Sequence, residues 1–474
     1  MILKIKLEQL DVNDNVVKTY HFANRDYHDG SQFWEGRLLT LPTLSIGTRN
    51  RLGGFASVNV GSFQVPRGTF QAELWVTLFN IEIMLDDKTL FKGKAHLSRV
   101  DHATETVEIV ESIEEQIIND PIDEIDKNGE PVENAFQKFY MGHNAIYIPC
   151  QRLAPATEYK YSKMGIIGEP APALIEYYVY DDGVDITSNV VDNGDGTFNL
   201  TAAPVGKVYI DGIARILRFS PHPPSRDTTS VYYWLAEKFG YNIISDDPDK
   251  YWGWAVLDNP SYFINKRKTV IEILNVLGEA YTAVTYIENS DLYVFSVYRE
   301  YSPVFRNYEE FMNYHGNTHH YYCANKDVLD LSFEASPLYT AIKQSATIRR
   351  AITDRTGTHI EEERVELVDF TGVPIGTEYR ISEEVFDPKF IFGPIAVHNT
   401  IFSPQINILL PIRKVIPGYA LVIDLPLEFR HYIHSKSSQT DNDDLQIPIR
   451  VFTITGVTYN FQDMTMKVRG IWSW

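Results

Sequence analysis

The segments TSVYYWLAEKF (229–239) and KTVIEILNVLGEAY (268–281) place apolar side chains at helical spacing. The segments TAVTYIE (282–288) and LYVFSVY (292–298) alternate like two strands joined by a short turn. The sequence therefore predicts helix, loop, helix and β-hairpin over residues 227–298, within a chain whose other segments are patterned as strands.

Both predicted helices carry an apolar stripe and sequence signals for their ends. Asp227 or Thr228 can cap the first helix, and Gly240 stands where a left-handed residue ends it. The stripe of the first helix consists of Val231, Trp234, Leu235, Lys238 and Phe239. The stripe of the second consists of Val270, Ile273, Leu274 and Leu277.

Length and composition indicate a globular, multidomain protein. With 474 residues, of which 44% are hydrophobic, the chain can form about three or four domains with their own cores. It has no run of about 18 apolar residues, so we expect no membrane span. Cys150 and Cys323 are too few for a disulfide framework, which predicts folding in a reducing cytosol.

The net charge of −20 bears on possible partners. It argues against specific nucleic-acid binding, whose affinity comes from neutralised phosphates. It is compatible with a surface past which DNA slides, and equally with acidity that only aids solubility.

The strand patterns predict a mainly β (α+β) fold with four parts. Apolar alternation at hairpin spacing recurs near both ends of the chain, for example in MILKIKLEQL (1–10), where Leu3, Ile5 and Leu7 share a face. The predicted domains are an N-terminal β-barrel at 1–115, a loop-rich β insert at 116–219, a small α/β domain at 220–327 and a C-terminal β-barrel at 328–474.

Several segments, in this order, resemble the central hub proteins of phage tail tips and baseplates, of the siphophage type and related to those of contractile tails. The end of the predicted N-terminal barrel, TLFKGKAHLSRVDHATETVEIVE (89–111), is similar to the end of a hub barrel. The segment GYALVIDLPL (418–427) is similar to a strand of the family's last barrel. The insert resembles one that such proteins carry, through Tyr178, Val179, Asp182, Gly183, Gly196, Phe198, Leu200, Pro204, Gly206 and Val208.

The resemblance implies a structural virion protein at the tail tip. In that family, two barrels per subunit around a threefold axis present six near-equivalent barrels, which adapts the sixfold tube to a threefold tip. The implied partners are two further copies in a homotrimer ring, the distal tail, tail tube and tape measure proteins, and tail fibre or central spike proteins. The ring would form or gate the channel for DNA ejection. From the net charge of −20 we expect in addition that the bore of such a ring is predominantly acidic.

Three groups of polar residues are candidate sites. His315, His319, His320 and Cys323 could bind a metal, but Gly316 and Asn317 disfavour the helix that would bring the histidines together, so an aromatic loop is preferred. The group Asp192, Asn193, Asp195 and Asn199 lacks the ligand spacing of a calcium loop and is predicted to be a hairpin turn. The carboxylates at 111–126 are predicted to lie in an exposed loop or short helix rather than to form a glycosidase pair: Glu111, Glu114, Glu115, Asp120, Asp123, Glu124 and Asp126.

The rival hypothesis is a virion-associated carbohydrate-binding or glycan-degrading β-protein. It would use an acidic pair and an aromatic surface drawn from Tyr232, Tyr233, Trp234, Tyr251, Trp252 and Trp254, of which Trp234 is predicted to be core. The sequence carries no P-loop, Rossmann fingerprint, nucleophile elbow or HExxH motif. We therefore expect no enzyme activity, no catalytic or metal-binding residue and no cofactor.

Overall fold

The chain folds mainly into β-sheets, which confirms the predicted mainly β class, and a curled sheet forms half of a barrel. A computed structural model provides the coordinates. It describes residues 1–51, 53–70, 78–110, 116–126, 128–141, 144–153, 158–162, 174–214, 231–245, 262–264, 266–280, 282–297, 305–315, 319–335, 339–354, 357–368, 377–380, 403–432 and 448–472.

A six-stranded antiparallel sheet, here called the N-terminal sheet, is built from the first 110 residues. Its strands alternate between buried and outward-facing positions, and Leu3, Ile5 and Leu7 share the buried face as predicted. In spatial order the strands are Val16–Ala23, Leu3–Leu10, Leu78–Leu85, Lys88–Val100, Thr104–Val110 and Phe63–Pro66.

A second large sheet, the C-terminal sheet, has eight strands. Two of them come from the beginning of the chain: Leu44–Gly47 pairs with Ile449–Asn460, and Ser57–Val60 pairs with Leu44–Gly47. The other strands, in spatial order, are His320–Cys323, Ala420–Asp424, Ile449–Asn460, Thr465–Trp472, Gln405–Pro411 and Asp330–Glu334.

The two large sheets share one hydrophobic core. Phe79 of the N-terminal sheet, Phe452 of the C-terminal sheet and Phe295 of the central hairpin belong to the same cluster of buried side chains. Hydrophobic burial therefore holds the first and last parts of the chain together. The domain boundaries given above stay predictions.

The helix, helix and hairpin order predicted for 227–298 is confirmed. The helices are Val231–Phe239 and Val270–Ala280, and the hairpin strands are Ala283–Glu288 and Asp291–Ser296. The hairpin gains Asn242–Ser245 on one side and Gly54–Phe55 on the other, both in parallel pairing.

Local signals explain where these helices begin and end. Thr269 and Glu272 form a capping box, in which each side chain accepts the other's backbone N–H, at 3.2 and 2.7 Å. Gly240 has a φ of 71°, and Tyr241 N–H donates to Ala236 O, which closes the first helix as expected. The proposed caps Asp227 and Thr228 lie outside the described residues.

Only part of the first helical stripe can be compared with the structure. Leu235 is buried as predicted, whereas Lys238 is exposed and Tyr232, which the stripe omits, is buried. The stripe of the second helix is correct throughout, since all four of its side chains are buried.

A third helix, Tyr308–His315, and the strand His320–Cys323 occupy a stretch that had no recognisable periodicity. The interpretation of 227–298 as the only helical region was therefore wrong. Asn307 accepts the N–H of Glu310 at 2.9 Å, and Glu310 accepts that of Arg306 at 2.8 Å. Side-chain capping thus starts a helix too short to show an apolar repeat.

The insert forms its own small core. Val179, Phe198 and Val208 are buried together, while Gly183 and Gly196 take left-handed φ values at turns. The pattern that resembles hub inserts therefore specifies turns and core. The strands are Asn144–Pro149, Lys160–Ser162, Leu174–Asp181, Val184–Asp185, Val190–Asp192, Thr197–Leu200 and Val208–Ala214.

The remaining elements are short, apart from one long ribbon of Tyr339–Asp354 and Gly357–Val368. The other strands are Tyr27–His28, Phe33–Trp34, Phe139–Met141, Tyr262–Ile264 and Thr377–Arg380. Short 3-10 helices are Thr187–Asn189, Asn325–Asp327 and Leu427–Tyr432. Across the described residues, no helix combines the length and apolar character needed to cross a membrane.

Candidate assembly surface

The histidine cluster is used in aromatic packing. His320 Nε2 lies 2.7 Å from the Tyr308 hydroxyl, and the His319 ring lies 5.4 Å from that of Phe295. Cys323 is fully buried, and burial raises the pKa of its thiol to about 11. His315 ends the third helix. Among the described residues, no three His, Cys, Asp or Glu side chains are grouped as metal ligands.

The polar group at 192–199 is a hairpin turn, as predicted. Asp192 accepts the backbone N–H of Gly194 at 2.8 Å, and Asp195 accepts that of Thr197 at 3.0 Å. The side chains of Asn193 and Asn199 hydrogen-bond to each other at 3.3 Å. These carboxylates therefore satisfy the turn's own donors.

The described carboxylates of the acidic segment have structural partners or face solvent. Glu124 pairs with Lys138 at 2.9 Å and accepts from Gln151 at 3.0 Å. Asp126 accepts the backbone N–H of Glu130, which is the main cause of its lowered pKa. A glycosidase acid needs the opposite shift. Asp120 and Asp123 are exposed, and Glu111, Glu114 and Glu115 lie outside the described residues.

The prediction of an exposed loop or short helix here was wrong for residues 116–119. Ile118 and Asn119 are buried, and the Asn119 side chain donates to Lys266 O at 2.7 Å and accepts from Lys268 N at 3.0 Å. The sequence did not predict this contact with the start of the second helix, because the segment is rich in charged residues and such segments are usually exposed.

Most residues of the proposed aromatic surface cannot be compared with the structure. Tyr251, Trp252 and Trp254 lie outside the described residues, as do the side chains of Tyr233 and Trp234. Tyr232 is buried, so its ring is not available to a ligand.

A groove of about 460 Å³ lies on the outer face of the C-terminal sheet and is here called the cationic groove. It lies where the strand from the start of the chain joins the last two strands: Gly47 pairs with Gly456, and Gly456 pairs with Arg469. The two glycines leave space that side chains would fill.

Arg469 lies across this junction. Its guanidinium Nη2 donates to Thr48 O at 2.7 Å, and Nη2 lies 3.2 Å from the position that a Cβ on either Gly47 or Gly456 would occupy. Burial lowers the pKa of Arg469, but an arginine still stays charged at neutral pH. The groove therefore has a fixed cation in its floor.

Arg49 and Lys467 add two exposed cations to the lining, which contains no carboxylate. Among the ion pairs of the described residues, none involves Arg49, Lys467 or Arg469. The charge of Glu334 acts on Arg469 in the direction that raises its pKa, and the Glu334 carboxylate accepts from Asn407 at 2.8 Å. The groove thus concentrates positive charge on an acidic protein.

A second exposed feature has the opposite charge. Residues 120–126 and 128–136 lie antiparallel through bridges between Pro121 and Phe136 and between Ile125 and Pro131. This segment, here called the acidic hairpin, contains six carboxylates and one lysine. Its exposed carboxylates are Asp120, Asp123, Glu130 and Glu133.

Sequence reasoning missed the cationic groove because its residues are distant in the chain and individually ordinary. Arg49 and Lys467 meet only because residues 44–47 join a sheet formed by the last third of the chain. The alternation of buried and exposed side chains predicts the strands from the sequence, but it does not predict which strands pair.

Comparisons with known proteins give distant structural similarities. No protein-family model and no curated protein matches the sequence. The chain is similar to the 43 kDa tail protein of prophage MuSo2 from Shewanella oneidensis, at 8% identity and a TM-score of 0.38, over 99% of this chain and 98% of that one. It is also similar to prophage tail protein gp18 from Listeria monocytogenes, at 9% identity and a TM-score of 0.37, over 99% and 94%.

A third similar structure is a PdpA–VgrG complex, at 8% identity and a TM-score of 0.30, over 99% of this chain and 64% of that one. The solved structures to which this chain is similar thus include two prophage tail proteins and a VgrG complex.

Proposed function

We propose that this chain is a structural virion protein, the central hub of a phage tail tip or baseplate. It would join the tail tube to the fibres or spike, adapt sixfold to threefold symmetry, and form or gate the channel for DNA ejection. The colinear resemblance of the sequence to such hubs is the origin of this proposal.

The observation that carries this proposal is that strands from the beginning of the chain belong to the same sheet as the C-terminal strands. A hub must hold two tube-like barrels in a fixed relation, because both have to fit one ring. Here Leu44–Gly47 and Ser57–Val60 complete the sheet of the C-terminal strands, and one hydrophobic core spans both sheets. Such a subunit resists relative movement of its halves.

The proposed assembly is a homotrimer ring. Its partners would be the distal tail and tail tube proteins, the tape measure protein, and tail fibre or central spike proteins. The bore would be predominantly acidic, because an attractive wall would retain the phosphates of passing DNA, and basic side chains would lie outside it or at subunit contacts.

No catalytic step is part of this proposal. Two described carboxylates of the acidic segment, Glu124 and Asp126, are engaged in an ion pair and a turn, while Asp120 and Asp123 are exposed. Their contacts favour a structural role over paired acid and base chemistry.

Quantitative mass spectrometry of purified particles tests the proposal. We expect a fixed, low copy number relative to the tube protein, and antibody labelling at the end of the tail distal to the head. Absence from washed particles, or labelling along the tube, would contradict it.

A further inference from the structure

The cationic groove holds positive charge that the described chain does not neutralise. Arg49 and Lys467 are exposed, Arg469 is fixed by Thr48, and no carboxylate lines the groove. On a protein with a net charge of −20, the two exposed cations beside Arg469 are a binding feature: Arg49 and Lys467 make no ion pair among the described residues.

The size and lining of the groove indicate what it accepts. Its volume of about 460 Å³ suits a few side chains or a small ligand rather than a folded domain. Asn59 and Thr458 add neutral donors beside the cations. Carboxylate oxygens are the acceptors that such a set of donors binds best.

The acidic hairpin has the complementary charge. The turn is held by Asp126, which accepts the N–H groups of Asn128 at 2.8 Å and Glu130 at 2.9 Å. This leaves the carboxylates of Asp123 and Glu130 exposed on a preorganised projection.

We propose that the cationic groove of one copy receives the acidic hairpin of the next copy in the ring. The contact rests on the proposed function, because it joins two different surfaces of the same chain. Repetition of such a head-to-tail contact closes a ring when the rotation between copies allows it. The proposal therefore assigns Arg49 and Lys467 on one copy, and Asp123 and Glu130 on the next, to subunit recognition.

An acidic peptide segment suits the groove better than a nucleic acid. Three cations neutralise few phosphates, and the acidity of the remaining chain would repel the rest of a polyanion. A second copy of this chain always supplies the acidic hairpin at the concentration of the protein itself.

A charge exchange in the full-length chain tests the contact by sedimentation velocity across protein concentration and salt. The groove variant is Arg49→Glu with Lys467→Glu, and the hairpin variant is Asp123→Lys with Glu130→Lys. The combined variant restores the original net charge. Lys88→Glu with Lys94→Glu is the matched control, since both lysines are exposed on the N-terminal sheet.

We expect the wild type and the control to self-associate at low salt. Each two-residue variant should associate about tenfold more weakly, because like charges then face each other. The combined variant should recover most of the loss, and added salt should weaken the wild type. Unchanged thermal unfolding of all variants would show that the fold is intact.

Several results would overturn the contact. These are a wild type that stays monomeric at low salt, a groove variant that associates like the wild type, and a combined variant that does not recover. A groove variant that keeps self-association but loses binding to a duplex oligonucleotide would assign the groove to nucleic acid instead. If the charge-exchange experiment fails while the protein is found at the tail tip, only this subunit contact is refuted. If the protein is absent from the tail, the hub proposal itself is refuted.

Discussion

Arg469 Nη2 donates a hydrogen bond to Thr48 O at 2.7 Å, across 421 positions of the chain. The guanidinium lies against Gly47 and Gly456, which face each other in neighbouring strands. This contact fastens the strand from the start of the chain to the last strand. It also fixes the floor of the cationic groove.

Replacing Arg469 should destabilise the protein more than replacing its neighbour. Arg469→Ala leaves Thr48 O without its donor and is expected to lower the free energy of unfolding by about 1.5–3 kcal/mol, the range for a hydrogen bond to a charged group. Lys467→Ala, a matched control on the same strand, should change it by less than about 0.5 kcal/mol. Guanidinium denaturation measures both, and equal effects would contradict the role given to Arg469.

Gly278 shows how tertiary packing reverses a helix preference. A Cβ at this position would lie 2.7 Å from the Gly54 Cα and 2.8 Å from Ala283 O. In an open helix Gly→Ala is favourable by about 1 kcal/mol. Here we expect Gly278→Ala to destabilise by about 1–3 kcal/mol through overpacking. Stabilisation measured by urea unfolding would show that the second helix does not approach the Gly54–Phe55 strand so closely.

The central module illustrates what sequence can predict and what it cannot. The second helix and the hairpin followed from local spacing, because Val270, Ile273 and Leu274 repeat on one face. The third helix was missed, although the pair Asn307 and Glu310 carries the sequence signature of a capping box. Such a helix start can be predicted only if capping residues are considered independently of an apolar repeat.

The join between the two large sheets was beyond sequence reasoning. The pairing of Leu44–Gly47 with Ile449–Asn460 joins segments about 400 positions apart, and alternation reveals a strand but not its neighbour. The cationic groove depends on that pairing, so it was missed together with it. The acidic hairpin was recognised as a charged segment, but its buried anchor at Asn119 was not.

The capping box of the second helix should show coupling between its two members. Thr269→Ala is expected to cost about 1 kcal/mol of unfolding free energy, and Glu272→Ala a similar or smaller amount. Because each side chain accepts the other's N–H, the double variant should lose less than the sum. A double-mutant cycle by chemical denaturation measures this, and strict additivity would refute the reciprocal contact.

The ionisation of Asp29 should make the free energy of unfolding depend on pH in the acid range. Its carboxylate accepts from Trp34 Nε1 at 2.8 Å and from the backbone of Gln32 and Ser31, and these bonds lower its pKa well below 3.8. The stabilisation is therefore complete above the unfolded-state pKa and is lost as pH falls through the folded-state pKa.

Asp29→Asn should accordingly lower the guanidinium midpoint most near pH 7, and the difference from the wild type should narrow as the pH falls below about 4. Asp14→Asn, at an exposed turn, is the control for the removal of one carboxylate elsewhere in the chain. A gap that widened in acid would contradict the assignment.

Symmetry is the most direct test of the hub proposal. Electron cryo-microscopy of the assembled tail tip, with the chain located in the density, gives its copy number and arrangement in one measurement. We predict three copies in a ring that each contribute two barrel-like β-domains around a predominantly acidic bore. A monomer, a true sixfold ring of this chain, or a bore lined by lysine and arginine would contradict the account.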